Sequence, residues 1–165
     1  APIPGEPTSA PAATGQRTGT VFTIPIYCPE DPGNFSLSSA MRFGWRLVFI
    51  DEARSISADY LRNTSKRPVL ARLNVAAERF VNTLEKVVDE IDQEKPCKRY
   101  HLRLLSVPSI GWNGIWLATK DGSSDKIYTG EGKQISEDVL IKTITELAKS
   151  GVALTDAYSR VTPCE

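Results

Sequence analysis

Residues 68–93 read PVLARLNVAAERFVNTLEKVVDEIDQ and carry the strongest periodic pattern in the chain. Their apolar side chains recur at alternating intervals of three and four residues, the spacing that places side chains along one side of an α-helix. These positions are Leu70, Leu73, Ala77, Phe80, Leu84, Val87 and Ile91. Pro68 suits a first helical turn, and Pro96 follows the end of the pattern. The segment therefore predicts a long amphipathic helix with an apolar stripe wide enough to pack on a sheet.

Two segments rich in β-forming residues precede this helix. Residues 20–27 read TVFTIPIY, and Pro25 lacks the N–H of a ladder hydrogen bond, so an edge strand or a bulged strand is predicted. Residues 41–50 read MRFGWRLVFI and alternate with a period of two, which predicts a strand with one strongly apolar face. The alternative is a single helix over residues 38–61, which Gly44 and the aromatic content disfavour.

The stretch after this strand has helical spacing. Asp51 suits a helix N-cap, and Ile56, Tyr60 and Leu61 follow at intervals of four and one, so a short helix is predicted there.

The C-terminal half predicts strands followed by a helix. A strand over residues 98–107 ends before Pro108, and residues 115–119 and 126–129 form a hairpin. A final helix begins after Ser136 and ends at Gly151. The fold class predicted is α+β: an antiparallel or mixed sheet of about five strands, packed on one face by the long amphipathic helix and the C-terminal helix.

The ends and the cysteines predict an exported chain. Residues 1–19 are rich in Pro, Ala, Ser and Thr and are expected to be a disordered leader, and residues 20–165 are expected to form a single domain. In an oxidising compartment Cys28, Cys97 and Cys164 provide one disulfide, and we favour Cys97 with Cys164 because that bridge secures the C-terminus. The predicted location is secreted or periplasmic. The alternatives are a boundary inside a larger protein and three thiols in a reducing compartment.

The charge balance argues against two classes of partner. Lys and Arg total 20, Asp and Glu total 20, and the sequence carries no global attraction for nucleic acid. No apolar run is longer than the four residues 47–50, which is far too short to span a bilayer, so no membrane span is expected. The single histidine and the spacing of the cysteines match no metal-binding pattern, so neither a metal nor another cofactor is predicted.

Catalytic patterns are incomplete in this chain. His101 is the only histidine, and its place in a predicted strand favours a surface residue over a general base. Gly130 and Gly132 precede Lys133 but lack the spacing of a phosphate-binding loop. We therefore assign no catalytic residue.

The segment Ser109–Trp116 is the strongest candidate for binding. Trp112 lies between two glycines in a predicted loop, and exposed tryptophan is enriched in protein interfaces and in sugar-stacking sites. The binding residues predicted are Trp112, Asn113 and Trp116, with His101 and Arg103 from the adjacent basic strand.

These observations favour an exported, non-enzymatic binding protein. An inhibitor, an immunity-type partner or an envelope accessory factor would act in this way, through the surface of another protein or a glycan. One alternative is a small secreted hydrolase or a toxin-like transferase. Another is a carrier of a small apolar or sugar ligand held between helix and sheet.

Overall fold

The computed structural model describes residues 19–62, 65–96 and 98–150, which form one eight-stranded mixed sheet and two α-helices. The strands are β1 Thr20–Cys28, β2 Met41–Ile50, β3 Ser55–Arg62, β4 Pro68–Asn74, β5 His101–Val107, β6 Trp112–Ala118, β7 Lys126–Thr129 and β8 Gln134–Ile135. The helices are α1 Glu78–Asp92 and α2 Glu137–Ser150.

The sheet consists of two antiparallel meanders joined at its centre. Its strand order is β4-β3-β2-β1-β5-β6-β7-β8, and among these described strands only the β1–β5 pair is parallel. The chain leaves β1, runs outward through β2, β3 and β4, and returns through α1 to β5. A parallel pair needs such a crossover, and here α1 supplies it.

The two helices cover opposite faces of the sheet, so the expectation that both pack on one face is wrong. Val81, Leu84 and Val87 of α1 join a core with one set of strand side chains. Leu140 and Ile144 of α2 join a second core on the other face. The reason is that β5, β6 and β7 carry large apolar residues on both faces, as a strand buried on both sides must. The alternating sets are Leu104 and Ile115 toward α1, and Leu105 and Trp116 toward α2.

The long helix predicted over residues 68–93 is divided in the structure. Only Glu78–Asp92 is helical, and Pro68–Asn74 is a strand paired with β3. The register shifts so that Tyr60 faces Leu70 while Asp59 faces Arg72, which leaves Ala71 as a bulge. The bulge places Leu70 and Leu73 on the same face of the strand. Their three-residue spacing therefore imitates a helix.

The helix predicted after Asp51 is also wrong, because Ser55–Arg62 is strand β3. The Asp51 carboxylate accepts hydrogen bonds from the backbone N–H groups of Ala53 and Arg54, at 2.7 and 2.9 Å, so it caps the β2–β3 turn. Of the two alternatives predicted for β1, the edge strand is wrong, since β2 and β5 flank it. The bulged strand is supported, because the register of β1 with β2 shifts between Ile26 and Tyr27. Its pairing with β5 is confined to Ile26 and Tyr27, beyond Pro25.

Other elements are confirmed. The strand at residues 41–50, the strand ending at Val107 and the hairpin of β6 and β7 are present. The final helix is present too, and the Ser136 hydroxyl accepts a hydrogen bond from the Val139 N–H at 3.2 Å. The α+β class is confirmed, whereas the sheet has eight strands rather than about five. Residues 1–18 of the predicted leader (residues 1–19), Cys97 and Cys164 lie outside the described residues.

Within the described ranges, no helix is long and apolar enough to cross a membrane.

Candidate functional site

The β1–β4 meander has one face that no helix covers among the described residues. Helix α2 packs over β5, β6 and β7, where its buried residues contact the second core. The side chains of the four preceding strands on that same side form three cross-strand rows, given by the strand register. The rows are Val21–Phe49–Ile56, Thr23–Leu47–Ala58–Leu73 and Pro25–Trp45–Tyr60–Leu70. We call these positions the open face.

The open face is apolar and accessible. Val21, Leu70 and Leu73 are 58, 53 and 58% exposed, which is unusual for three large aliphatic residues on one sheet face. Trp45 and Phe49 between them are half-buried. None of the positions carries a charge, and Thr23, Tyr60 and the indole N–H of Trp45 supply the polar groups. The opposite face of the same strands is buried beneath α1.

The size of the open face is that of a functional patch. Strands about 4.8 Å apart, with same-face residues about 6.8 Å apart along each strand, give it an area of about 400 Å². Apolar patches of this size on a monomer commonly mark a binding site. A standard protein interface buries about 800 Å² on each partner, so an occupant that binds tightly must also contact the rim.

One end of the open face is bordered by basic side chains. The register places Arg42 opposite Tyr27, and Arg62 lies two residues beyond Tyr60, so both arginines lie on the open-face side. The guanidinium carbon of Arg103 lies 4.3 Å from the centre of the Tyr27 ring, on the neighbouring strand β5. At the other end, the β2–β3 turn contains Asp51, Glu52 and Arg54, so that end has a small negative net charge. The surface is therefore polarised along the strands.

Arg103 is held in place by two aromatic rings. Its guanidinium carbon also lies 4.6 Å from the centre of the Trp116 ring, and the Tyr27 and Trp116 rings meet edge to face at 5.5 Å. The Trp116 Nε1–H donates to Asp125 Oδ2 at 2.8 Å, which fixes the orientation of the indole. This arrangement holds the arginine charge beside the end of the open face.

The structure brings only two of the predicted binding residues together. Arg103 and Trp116 are cross-strand partners, but Trp116 is 4% exposed and serves as a support for Arg103. His101 is exposed at the far end of β5, where it pairs with Ala118.

Trp112 and Asn113 lie at the other end of the β5–β6 hairpin. Trp112 belongs to strand β6, not to a loop, and it is half-buried. Its ring lies over Gly114, where a Cβ atom would collide with it, so the glycine allows the tryptophan to pack back onto the α2-side core. Asn113 pairs with Ser106 and lies on the side of the sheet that α1 covers.

A buried ion pair lies on the face beneath α1. Arg46 Nε and Nη2 donate to the two carboxylate oxygens of Asp59 at 2.6 and 2.9 Å, and Asp59 is 4% exposed. The Arg46 guanidinium carbon is 4.7 Å from the centre of the Phe80 ring of α1. Paired in this fork geometry, both charges are compensated inside the protein.

A second ion pair, between Glu94 and Lys126, joins the end of α1 to the β6–β7 hairpin. Glu94 forms an ion pair with Lys126 and accepts a hydrogen bond from the Tyr100 hydroxyl at 2.8 Å. The hydrogen bonds from Lys126 and Tyr100 hold the pKa of the Glu94 carboxyl below its usual value. Burial, together with the same hydrogen bond, raises the pKa of Tyr100 to about 12. The phenol therefore stays neutral at physiological pH and acts as a donor.

In the part of the chain that the structure describes, no group of three or more His, Cys, Asp or Glu residues is placed to hold a metal ion. No protein-family model, curated protein or solved structure matches this chain.

Sequence reasoning missed the open face as a site, although one signal was present. The alternation over residues 41–50 predicted a strongly apolar strand face correctly, and Trp45, Leu47 and Phe49 form it. The assignment of β3 and β4 to helices concealed their contribution. With both segments as strands, Ile56, Tyr60 and Leu73 would have extended the same surface.

Proposed function

We propose that this chain is an exported, non-enzymatic binding protein that attaches to another protein through the open face. The observation that carries the proposal is the continuous uncharged surface across four strands, beside the region where α2 packs over the other meander. Leaving such a surface in water costs free energy, at about 25 cal/mol per Å² of apolar area, so an occupant gains by covering it.

The occupant that fits this surface is an extended segment of a partner protein with alternating apolar side chains. Strand β4 is the last strand on its side of the sheet, and its outer edge pairs with no other described strand. An incoming strand can hydrogen-bond to that edge. Its apolar side chains then pack beside Leu70 and Leu73, the exposed large apolar residues of β4, and adjoining parts of the partner cover the remaining rows of the open face.

The rim indicates the charge of the partner segment. Arg42, Arg62 and Arg103 border one end of the open face, and Lys66 and Arg67 lie in the adjacent β3–β4 turn. Acidic residues at the corresponding end of the partner would be attracted to this border. The main effect of that attraction would be a faster rate of association. The partner segment is therefore apolar along the strand direction and acidic at one end.

A protein partner suits the open face better than a glycan does. Sugar sites combine an aromatic platform with several hydrogen-bonding groups. The open face offers the hydroxyls of Thr23 and Tyr60 and the indole N–H of Trp45, which are few polar groups for a surface of this size. Trp112, the predicted sugar-stacking residue, has its ring packed over Gly114.

The test uses a labelled synthetic peptide of roughly ten residues, in which valine and threonine alternate before a run of aspartates. We expect fluorescence anisotropy to show saturable binding at low salt. Leu73→Lys is expected to weaken that binding by about tenfold or more, because it places a charge in the apolar surface. Val88→Lys is the matched control, since Val88 is an exposed aliphatic residue of α1 on the opposite side of the sheet.

A second peptide with lysines in place of the aspartates tests the charge of the rim. It should bind about tenfold more weakly at low salt, and the difference should shrink at about 0.5 M salt. Equal binding of the acidic peptide to wild type and Leu73→Lys contradicts the proposal. So does a stable dimer that Leu73→Lys dissociates in sedimentation experiments, because the occupant is then a second copy of the chain.

Export predicts a disulfide in this protein. Cys28 is buried at the end of β1 and is disulfide-bonded, which excludes the pairing of Cys97 with Cys164 predicted from the sequence. We expect peptide mapping without reductant, on protein purified from an oxidising compartment, to recover one disulfide-linked pair that includes Cys28. A linked Cys97–Cys164 pair would contradict this pairing but support export. Three thiols that all react in unreduced protein would contradict export.

A further inference from the structure

A small cavity lies between α1 and the sheet, on the face opposite the open face. Its volume is about 60 Å³. Ile26, Leu61, Leu104 and Ile115 form its apolar floor, while Phe80 and Thr83 of α1 cover it. Asn113 and Gly130 are both exposed and lie at its opening to solvent. It is a separate feature from the open face and depends on different residues.

The polar groups of this cavity are buried and converge on it. Ser106 lines the cavity, is 7% exposed, and its Oγ has no hydrogen-bond partner among the described residues. The Arg46–Asp59 ion pair lies in the same wall. Burying a hydroxyl without a hydrogen-bond partner costs free energy, and such a group in a protein commonly binds a ligand or a water molecule.

We propose that this cavity binds a short, uncharged aliphatic molecule that carries one hydroxyl or amide group. Its volume of about 60 Å³ admits a molecule of only a few non-hydrogen atoms. The floor favours an aliphatic body, and the Ser106 hydroxyl both donates to and accepts from a polar group. Since Arg46 and Asp59 compensate each other, an anion would meet the carboxylate and a cation the guanidinium. Both charged classes are therefore disfavoured.

The test compares three probes of similar size: 2-propanol, acetate and isopropylammonium. We expect methyl NMR signals of Ile26, Leu104 and Ile115 to shift saturably with 2-propanol, with a Kd on the order of 10 mM. Acetate and isopropylammonium should bind at least about fivefold more weakly, because each carries a charge into the cavity.

Ser106→Ala tests the role of the hydroxyl without filling the cavity. It should weaken 2-propanol binding about threefold or more. Ser57→Ala is the matched control, because Ser57 is a buried serine on the same sheet face that does not line the cavity. Leu73→Lys should leave the affinity for 2-propanol unchanged, which separates this site from the proposed function.

Several outcomes overturn the inference. One is that NMR signals of residues over the whole protein surface shift linearly with the concentration of 2-propanol. Others are equal binding of all three probes and an affinity that Ser106→Ala does not alter. The first means that the cavity holds water only. The other two mean that neither the absence of charge nor the Ser106 hydroxyl selects what it binds.

Discussion

Asp59→Ala is expected to lower the free energy of unfolding by about 3–5 kcal/mol, because it removes one partner of a buried ion pair. The substitution leaves the Arg46 guanidinium beneath α1 without the carboxylate that now accepts two of its hydrogen bonds. Phe80 offers that charge only the face of its ring, at 4.7 Å. The loss should be at the lower end of the range, since the Arg46 side chain is 15% exposed and can recruit some water.

The double substitution Arg46→Met with Asp59→Leu tests whether the loss arises from an uncompensated charge. Apolar side chains of similar volume often replace a buried ion pair at little cost. We therefore expect the double variant to recover most of the stability that Asp59→Ala loses. Urea denaturation followed by circular dichroism gives the free energies, and a constant slope m shows that the unfolded reference has not changed.

Arg72→Met supplies the control for this experiment. Arg72 lies in the same cross-strand row as Arg46 and Asp59 but is exposed at the sheet edge, so its replacement should change stability little. A loss below about 1 kcal/mol in Asp59→Ala would show that the pair is solvated rather than buried. A double variant as unstable as Asp59→Ala would show that packing, not charge, is responsible.

The ion pair also shows why part of the architecture was hidden in the sequence. Arg46 and Asp59 are thirteen residues apart, and only the pairing of β2 with β3 makes them neighbours. Along β3, Ser55, Ser57 and Asp59 face the core, so its polar residues are the buried ones. A prediction that assumes buried positions to be apolar therefore cannot recognise β3 as a strand.

Sequence patterns predicted an element correctly where its own apolar and polar residues alternate with the period of its secondary structure. The strand at residues 41–50 and helix α2 alternate with the period of their own secondary structure, and both were predicted. They failed at Pro68–Asn74, because the bulge at Ala71 changes the strand period from two to three over a single step. Whether a sheet face is covered depends on where a helix distant in sequence packs. The residues of β1–β4 therefore do not reveal where α2 packs.

The candidate site was predictable only in part for the same reason. Arg103 and Trp116 were singled out from one basic strand and one aromatic-rich segment, and the structure pairs them. The role of Arg103 as a border of the open face needs Tyr27, which comes from the other meander. Only the parallel β1–β5 pair at the centre of the sheet brings these two strands together.

Asp125→Ala is expected to lower the free energy of unfolding by about 2–4 kcal/mol, because one carboxylate satisfies several donors in the β6–β7 connection. It accepts hydrogen bonds from Trp116 Nε1 at 2.8 Å, and from the N–H and hydroxyl of Thr119 at 2.6 and 2.7 Å. Trp116 is 4% exposed, so its N–H would remain buried without this acceptor. Chemical denaturation, followed by tryptophan fluorescence, measures the loss.

The same substitution should also weaken peptide binding at the open face by a few fold. Asp125 orients Trp116, and Trp116 with Tyr27 holds the Arg103 guanidinium at the basic border. Asp121→Ala is the matched control: its carboxylate accepts hydrogen bonds from Ser123 in the same turn but is exposed to solvent. It should cause a much smaller loss of stability and leave peptide binding unchanged. Equal losses in the two variants would mean that Asp125 acts only as a turn residue, and that the position of Arg103 does not depend on it.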